Sequence, residues 1–177
     1  GSITNALVNS LPGAVQITSS GPACEGQPVS LAAEEVPSAV YFWTGPGGLV
    51  TATRLINIPA MSTLNQGIYQ VAVNVAGCMG TTSNIDLRMV PTPAAPVISP
   101  VGVVCEYSPL NLNMATVAGA IYSWTGPSGF SQNSAAVQID SMTALNAGTY
   151  TAYVSVSGCK SSNSSVTVAV TPKPSIP

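Results

Sequence analysis

The chain repeats itself without a gap. The phrase "YFWTGPGGLV", Tyr41 to Val50, returns as "IYSWTGPSGF", Ile121 to Phe130. Trp43 and Trp124 are 81 positions apart, and the same offset separates Cys24 from Cys105, Leu31 from Leu112, Tyr69 from Tyr150, Cys78 from Cys159 and Pro91 from Pro172. Self-similarity at a fixed period, with nothing inserted between copies, marks each copy as a complete folding unit. The sequence divides into 1–13, a cloning scar (Gly1-Ser2) and lead-in from a preceding module; 14–91, a first domain; 92–96, a proline-rich linker; 97–172, a second domain; and 173–177, a lead into a next module. The joint "VPTPAAPV", Val90 to Val97, holds three prolines and reads as a short, stiff, extended connection.

Inside each copy the apolar residues alternate. Val29 and Leu31, Tyr41 and Trp43, Ile56 and Ile58, then Tyr69, Val71, Val73 and Val75, then Ile85, Leu87 and Met89 all fall at the period of a strand with one buried face. Helical spacing is nowhere sustained. With 16 Gly and 15 Pro supplying turns, the expected fold is all-β: two tandem antiparallel sandwiches arranged end to end.

Two repeated phrases sharpen this. Trp43 follows Leu31 by 12 residues, as Trp124 follows Leu112, which resembles the spacing between second-strand and third-strand core positions in immunoglobulin domains. "LNQGIYQV" and "LNAGTYTA" resemble the tyrosine corner of those domains, in which a Tyr bonds back to the preceding turn. The expected core is therefore Leu31, Trp43, Tyr69 and Val71 in one unit and Leu112, Trp124, Tyr150 and Ala152 in the other. Val71 and Ala152 stand where an antibody domain has its second cysteine, so aliphatic packing replaces the usual inter-sheet disulfide.

The cysteines lie elsewhere, seven residues before the core Leu and seven after Val71 or Ala152. Strand directions put the two cysteines of one unit at opposite ends of its sandwich, whereas a disulfide needs Cα atoms about 4 to 7 Å apart. The preferred pairing is Cys24 with Cys159 across the joint, leaving Cys78 and Cys105 for neighbouring modules. The alternatives are pairing within each domain, Cys24 with Cys78 and Cys105 with Cys159, or free thiols.

Taken together, "CEGQPVSLAA", "YFWTGPGGL", "LNQGIYQVAV" and "AGCMG" with their second copies resemble the tandem immunoglobulin-like and polycystic-kidney-disease-like repeats of Bacteroidetes surface proteins. The resemblance runs from about Ala14 to Pro172. It implies a long secreted or outer-surface protein, an adhesin or a multidomain glycan-active enzyme, exported by the gliding-associated route. "DSM", Asp140 to Met142, resembles the O-glycosylation signal of that phylum, with Ser141 as acceptor; the alternative is a plain turn.

Composition narrows the chemistry. Only 6% of residues are charged, the net charge is -2, and there is no His. That excludes the clustered Lys and Arg that nucleic acid requires. No apolar run approaches a membrane span, so membrane insertion is not expected. Without His there is no Ser-His or Cys-His pair and no His-based metal site. The six carboxylates, Glu25, Glu34, Glu35, Asp86, Glu106 and Asp140, form no pair suited to glycoside hydrolysis and no dense calcium loop. No enzyme activity, cofactor or metal is expected.

Two functions remain. One is a spacer, a monomer as this fragment, whose partners are neighbouring repeats of the parent chain. The other is a module gripping a glycan or surface protein, with Phe42, Tyr107, Phe130 and Tyr153 as candidate contacts. None of these four has an aromatic counterpart at the same position of the other repeat, which weighs against a shared ligand site.

Overall fold

The computed structural model describes residues 11–99 and 102–174. The expected scar at Gly1-Ser2, most of the expected lead-in and the last three residues lie outside them. Two compact units emerge, Gly1–Pro91 and Thr92–Pro177.

In the first unit, β1 (Ile17–Ser19), β2 (Val29–Ala33) and β5 (Leu55–Ile58) form one antiparallel sheet in the order β1-β2-β5. The other sheet runs β4 (Leu49–Thr51), β3 (Ala39–Gly45), β6 (Gly67–Val75), with β7 (Cys78–Met79) and β8 (Ser83–Leu87) sharing the far edge of β6. The second unit repeats this. β10 (Leu110–Asn113) pairs with β13 (Ala136–Ile139), while β12 (Ser131–Gln132), β11 (Ala120–Thr125) and β14 (Gly148–Val156) are flanked by β15 (Cys159–Lys160) and β16 (Ser164–Val168). A parallel pair, β9 (Val104–Cys105) with β17 (Val170–Thr171), closes one edge. The matching contact in the first unit is a parallel bridge between Cys24 and Val90. This is the immunoglobulin-like arrangement in both units.

Each sheet turns its alternating apolar face inward. Leu31, Trp43, Val71 and Val73 are fully buried in the first unit, with Tyr69 at 2% exposure. Leu112, Trp124, Tyr150 and Ala152 are fully buried in the second. A buried Trp removes roughly 150 to 250 Å² from water, so each contributes on the order of 4 to 6 kcal/mol at about 25 cal/mol per Å². The two core clusters have no residue in common: one draws only on residues up to Met89, the other only on residues from Ile98 onward.

Sequence alternation missed the short edge strands. β4 and β12 have three and two residues, too few for a period to show. They follow from the turn at "TGP". Pro46 and Pro127 open one-turn 3-10 segments, Gly47 and Ser128 take left-handed backbone (φ 68° and 53°), and the chain reverses to pair beside β3 or β11.

Candidate functional site

The two repeated phrases prove to be two sides of one contact. Tyr69 Oη donates to the Asn65 carbonyl at 2.7 Å, and Tyr150 Oη to the Asn146 carbonyl at 2.8 Å, each closing a tyrosine corner. The ring then covers the glycine of the other phrase. A Cβ on Gly45 would stand 2.7 Å from Tyr69 Cδ1, and one on Gly126 would stand 2.6 Å from Tyr150 Cδ1. The neighbouring residues interlock in reverse, since a Cβ on Gly67 would meet Pro46 at 3.0 Å and one on Gly148 would meet Pro127 at 2.8 Å. Trp-Thr-Gly-Pro and Asn-x-Gly-x-Tyr thus interlock as a scaffold latch. Burial raises the pKa of both tyrosines above the ordinary phenol value.

Each candidate contact residue has a definite place. Phe130 is half-buried and its ring meets Tyr150 edge-on, with centroids 5.3 Å apart. It packs against the latch, because the side chain after the TGP turn is drawn over the corner ring. Tyr107 is 63% exposed and has left-handed backbone, φ 67°, where the first repeat has Gly26 at φ 71°. Phe42 is 44% exposed on the outer face of β3. Tyr153 is half-buried beneath Lys160, whose Nζ lies 3.7 Å from the ring centroid.

Strand pairing reveals what position-by-position comparison missed. Phe42 lies opposite Ala72, and Ser123 lies opposite Tyr153. Phe42 and Ser123 are equivalent positions, as are Ala72 and Tyr153. Each unit therefore carries one aromatic and one small residue at the same cross-strand pair on its outer face, with the strand supplying the ring exchanged. Reading the two strands as a pair would have found this in the sequence.

Cys24 and Cys159 are disulfide-bonded, whereas Cys78 and Cys105 carry free thiols. The pairing within each domain needs Cys78 and Cys105 as partners and is absent. Its physical obstacle is visible inside one unit. Cys78 faces Val75 at the end of β6, while Cys24 bridges Val90, beyond Leu87, which faces Gly67 at the start of β6. The nine residues of β6 separate them, roughly 26 Å at about 3.3 Å per residue. The same relation holds for Cys105, beside Thr171, and Cys159, opposite Val156 at the end of β14.

Ser141 is exposed, in the turn after β13, while Met142 beside it is fully buried and exchanges backbone hydrogen bonds with Tyr107 and Ser108. The apolar residue of "DSM" thus anchors the turn and leaves the hydroxyl accessible. Glu106 is half-buried and the other five carboxylates are exposed; Asp86 pairs with Arg88 at 2.7 Å on the surface. Among the described residues no group of three Cys, Asp or Glu side chains could hold a metal ion, and no helix is long and apolar enough to cross a membrane. The second unit has an apolar cavity of about 420 Å³ lined by Pro93, Pro96, Val97, Ala115, Val117 and Val154. Nothing in that lining can polarise or protonate a substrate.

The fold and these sites define a pair of immunoglobulin-like domains. No family model matches the chain, and no curated protein matches it. Among solved structures, one described as a mouse coronavirus receptor-binding domain complexed with its murine receptor is similar at TM-score 0.54 and 14% identity, covering 89% of this chain and 100% of that one. Murine CEACAM1b is similar at TM-score 0.48 and 16% identity over 88% of this chain and 100% of that one. Three N-terminal domains of the bacteriophage RB49 outer capsid protein Hoc are similar at TM-score 0.46 and 18% identity, over 89% of this chain and 59% of that one. At such identities the likeness of the first is one of fold alone.

Proposed function

We propose that the chain is a pair of non-catalytic spacer modules from a large secreted or outer-surface bacterial protein of the adhesin type. The reading is carried by the cysteine pattern: one bonded and one free cysteine per unit, in complementary positions. In this reading Cys24 bonds Cys159, tying the two units covalently beside a proline linker. Such a tie restricts bending and keeps neighbouring domains from parting under load. Disulfide chemistry favours an oxidising compartment outside the cytosol. The latch supports the same reading, because the most distinctive residues are used for rigidity. Ser141, exposed beside a buried anchor, is the proposed O-glycosylation site.

Small-angle scattering tests it. With its Cys78 and Cys105 thiols alkylated, the oxidised chain is expected to be an elongated monomer, with a wider spread of bend angles after reduction. A compact particle indifferent to reductant would overturn the reading.

A second reading is favoured by the exchanged aromatics. One exposed or half-exposed ring per outer sheet face, Phe42 and Tyr153, suits stacking on a glycan or a partner protein. A glycan array with the Phe42→Ala and Tyr153→Ala variants separates the readings: binding lost in both variants would favour a ligand module, and no binding by the parent chain would leave the spacer.

A further inference from the structure

The free cysteines occupy the same settings as the bonded ones. Cys78 opens β7 opposite Val75 after a turn with positive φ at Ala76 (50°) and Gly77 (88°). Cys159 opens β15 opposite Val156 after Ser157 (50°) and Gly158 (83°). Cys105 lies in the parallel pair with Thr171, two residues before positive φ at Tyr107, as Cys24 lies beside Val90 two residues before Gly26. Yet Cys78 is only half-buried and Cys105 is exposed, so both thiols are open to a reagent. Two independent observations thus coincide: accessible thiols, and exact counterparts of each already engaged in a disulfide in the other repeat.

We propose that Cys78 and Cys105 are complementary halves of one covalent docking site, each specific for the other on a second copy of this module. A chain with one half at each unit is built for head-to-tail propagation, in which Cys105 of one copy bonds Cys78 of the next. A heterologous contact of this kind leaves both ends open and generates chains rather than closed dimers. The inference rests on the proposed Cys24–Cys159 bridge, which would be the same junction formed within one chain.

The chemistry needs an oxidant, and glutathione disulfide supplies it. A thiolate of one copy attacks glutathione disulfide and releases one glutathione; the thiolate of the second copy attacks the resulting mixed disulfide and releases the other. Two protein thiols are oxidised, one glutathione disulfide is reduced to two glutathiones, and two protons pass to the glutathione thiolates.

The test uses full-length Cys78→Ser and Cys105→Ser variants, each with one free thiol, mixed in equal amounts in a glutathione redox buffer. With the Cys105→Ser variant uniformly 15N-labelled, the intact mass of the dimers isolated by non-reducing electrophoresis distinguishes the heterodimer, linked Cys105 to Cys78, from the two homodimers. Random pairing gives as much heterodimer as the homodimers combined; complementary docking is expected to raise that ratio roughly tenfold at exchange equilibrium. The unmodified chain is expected to form a ladder. A random ratio, or glutathione adducts alone, overturns the inference. Peptide mapping of the same samples for a Cys24–Cys159 link shows separately whether the spacer reading survives.

Discussion

Tyr69 leaves no room for a side chain on Gly45: a methyl group there would stand 2.7 Å from the ring, and the second unit reproduces the relation between Tyr150 and Gly126 at 2.6 Å. Gly45 has extended backbone, φ -170°, so its requirement is one of space and not of conformation. The repeated Trp-Thr-Gly-Pro phrase exists because the tyrosine ring closes against the strand end.

Gly45→Ala and Gly126→Ala are therefore each expected to destabilise their unit by about 2 to 3 kcal/mol, in the overpacking range. Gly21→Ala, with nothing within 4 Å, is expected to stay within about 0.5 kcal/mol. Urea unfolding followed by tryptophan fluorescence reads both.

Tyr69→Phe and Tyr150→Phe remove the corner hydrogen bonds to Asn65 and Asn146 and are each expected to cost about 1 kcal/mol at neutral pH. The pH dependence has a fixed sign. Both phenols titrate higher in the folded than in the unfolded chain, so the unfolded state releases its protons first. Stability from this source is complete below about pH 10, the unfolded phenol value, and falls as pH rises through the folded value. The double Phe variant is expected to show a shallower alkaline loss of Tm.

The two tryptophans differ. Trp124 Nε1 donates to the Ser134 carbonyl at 2.9 Å, while buried Trp43 Nε1 has no acceptor. Trp124→Phe is expected to cost about 1 kcal/mol more than Trp43→Phe, because only the former loses a hydrogen bond. Equal losses in denaturant unfolding would contradict this.

Thiol labelling of the native chain is expected to modify two of its four cysteines, exposed Cys105 faster than half-buried Cys78. Cys24 and Cys159 should react only after reduction. Mass spectrometry of the alkylated peptides gives the order.

Much of the fold was legible because the repeat offset and strand alternation both report burial. Leu31, Trp43, Tyr69 and Val71 are apolar at the right period, and apolar burial is what sets their place. The latch was harder to read, since Gly45 and Tyr69 lie on different strands and their contact depends on the turn between Asn65 and Gly67. The packing of Phe130 was hidden because nothing local shows that the ring after the TGP turn folds back onto Tyr150. The exchange between Phe42 and Tyr153 was hidden for a related reason: a pairwise property of two strands is invisible when positions are compared singly. For the cysteines, spacing alone left three arrangements open, and the nine-residue length of β6 is what separates the two ends of a unit.

Non-reducing peptide mapping of the native chain, after alkylation of free thiols, tests the proposed Cys24–Cys159 bond most directly. The account predicts a linked pair of peptides containing Cys24 and Cys159, with Cys78 and Cys105 recovered alkylated. A peptide pair linking Cys24 to Cys78, or Cys105 to Cys159, would contradict it.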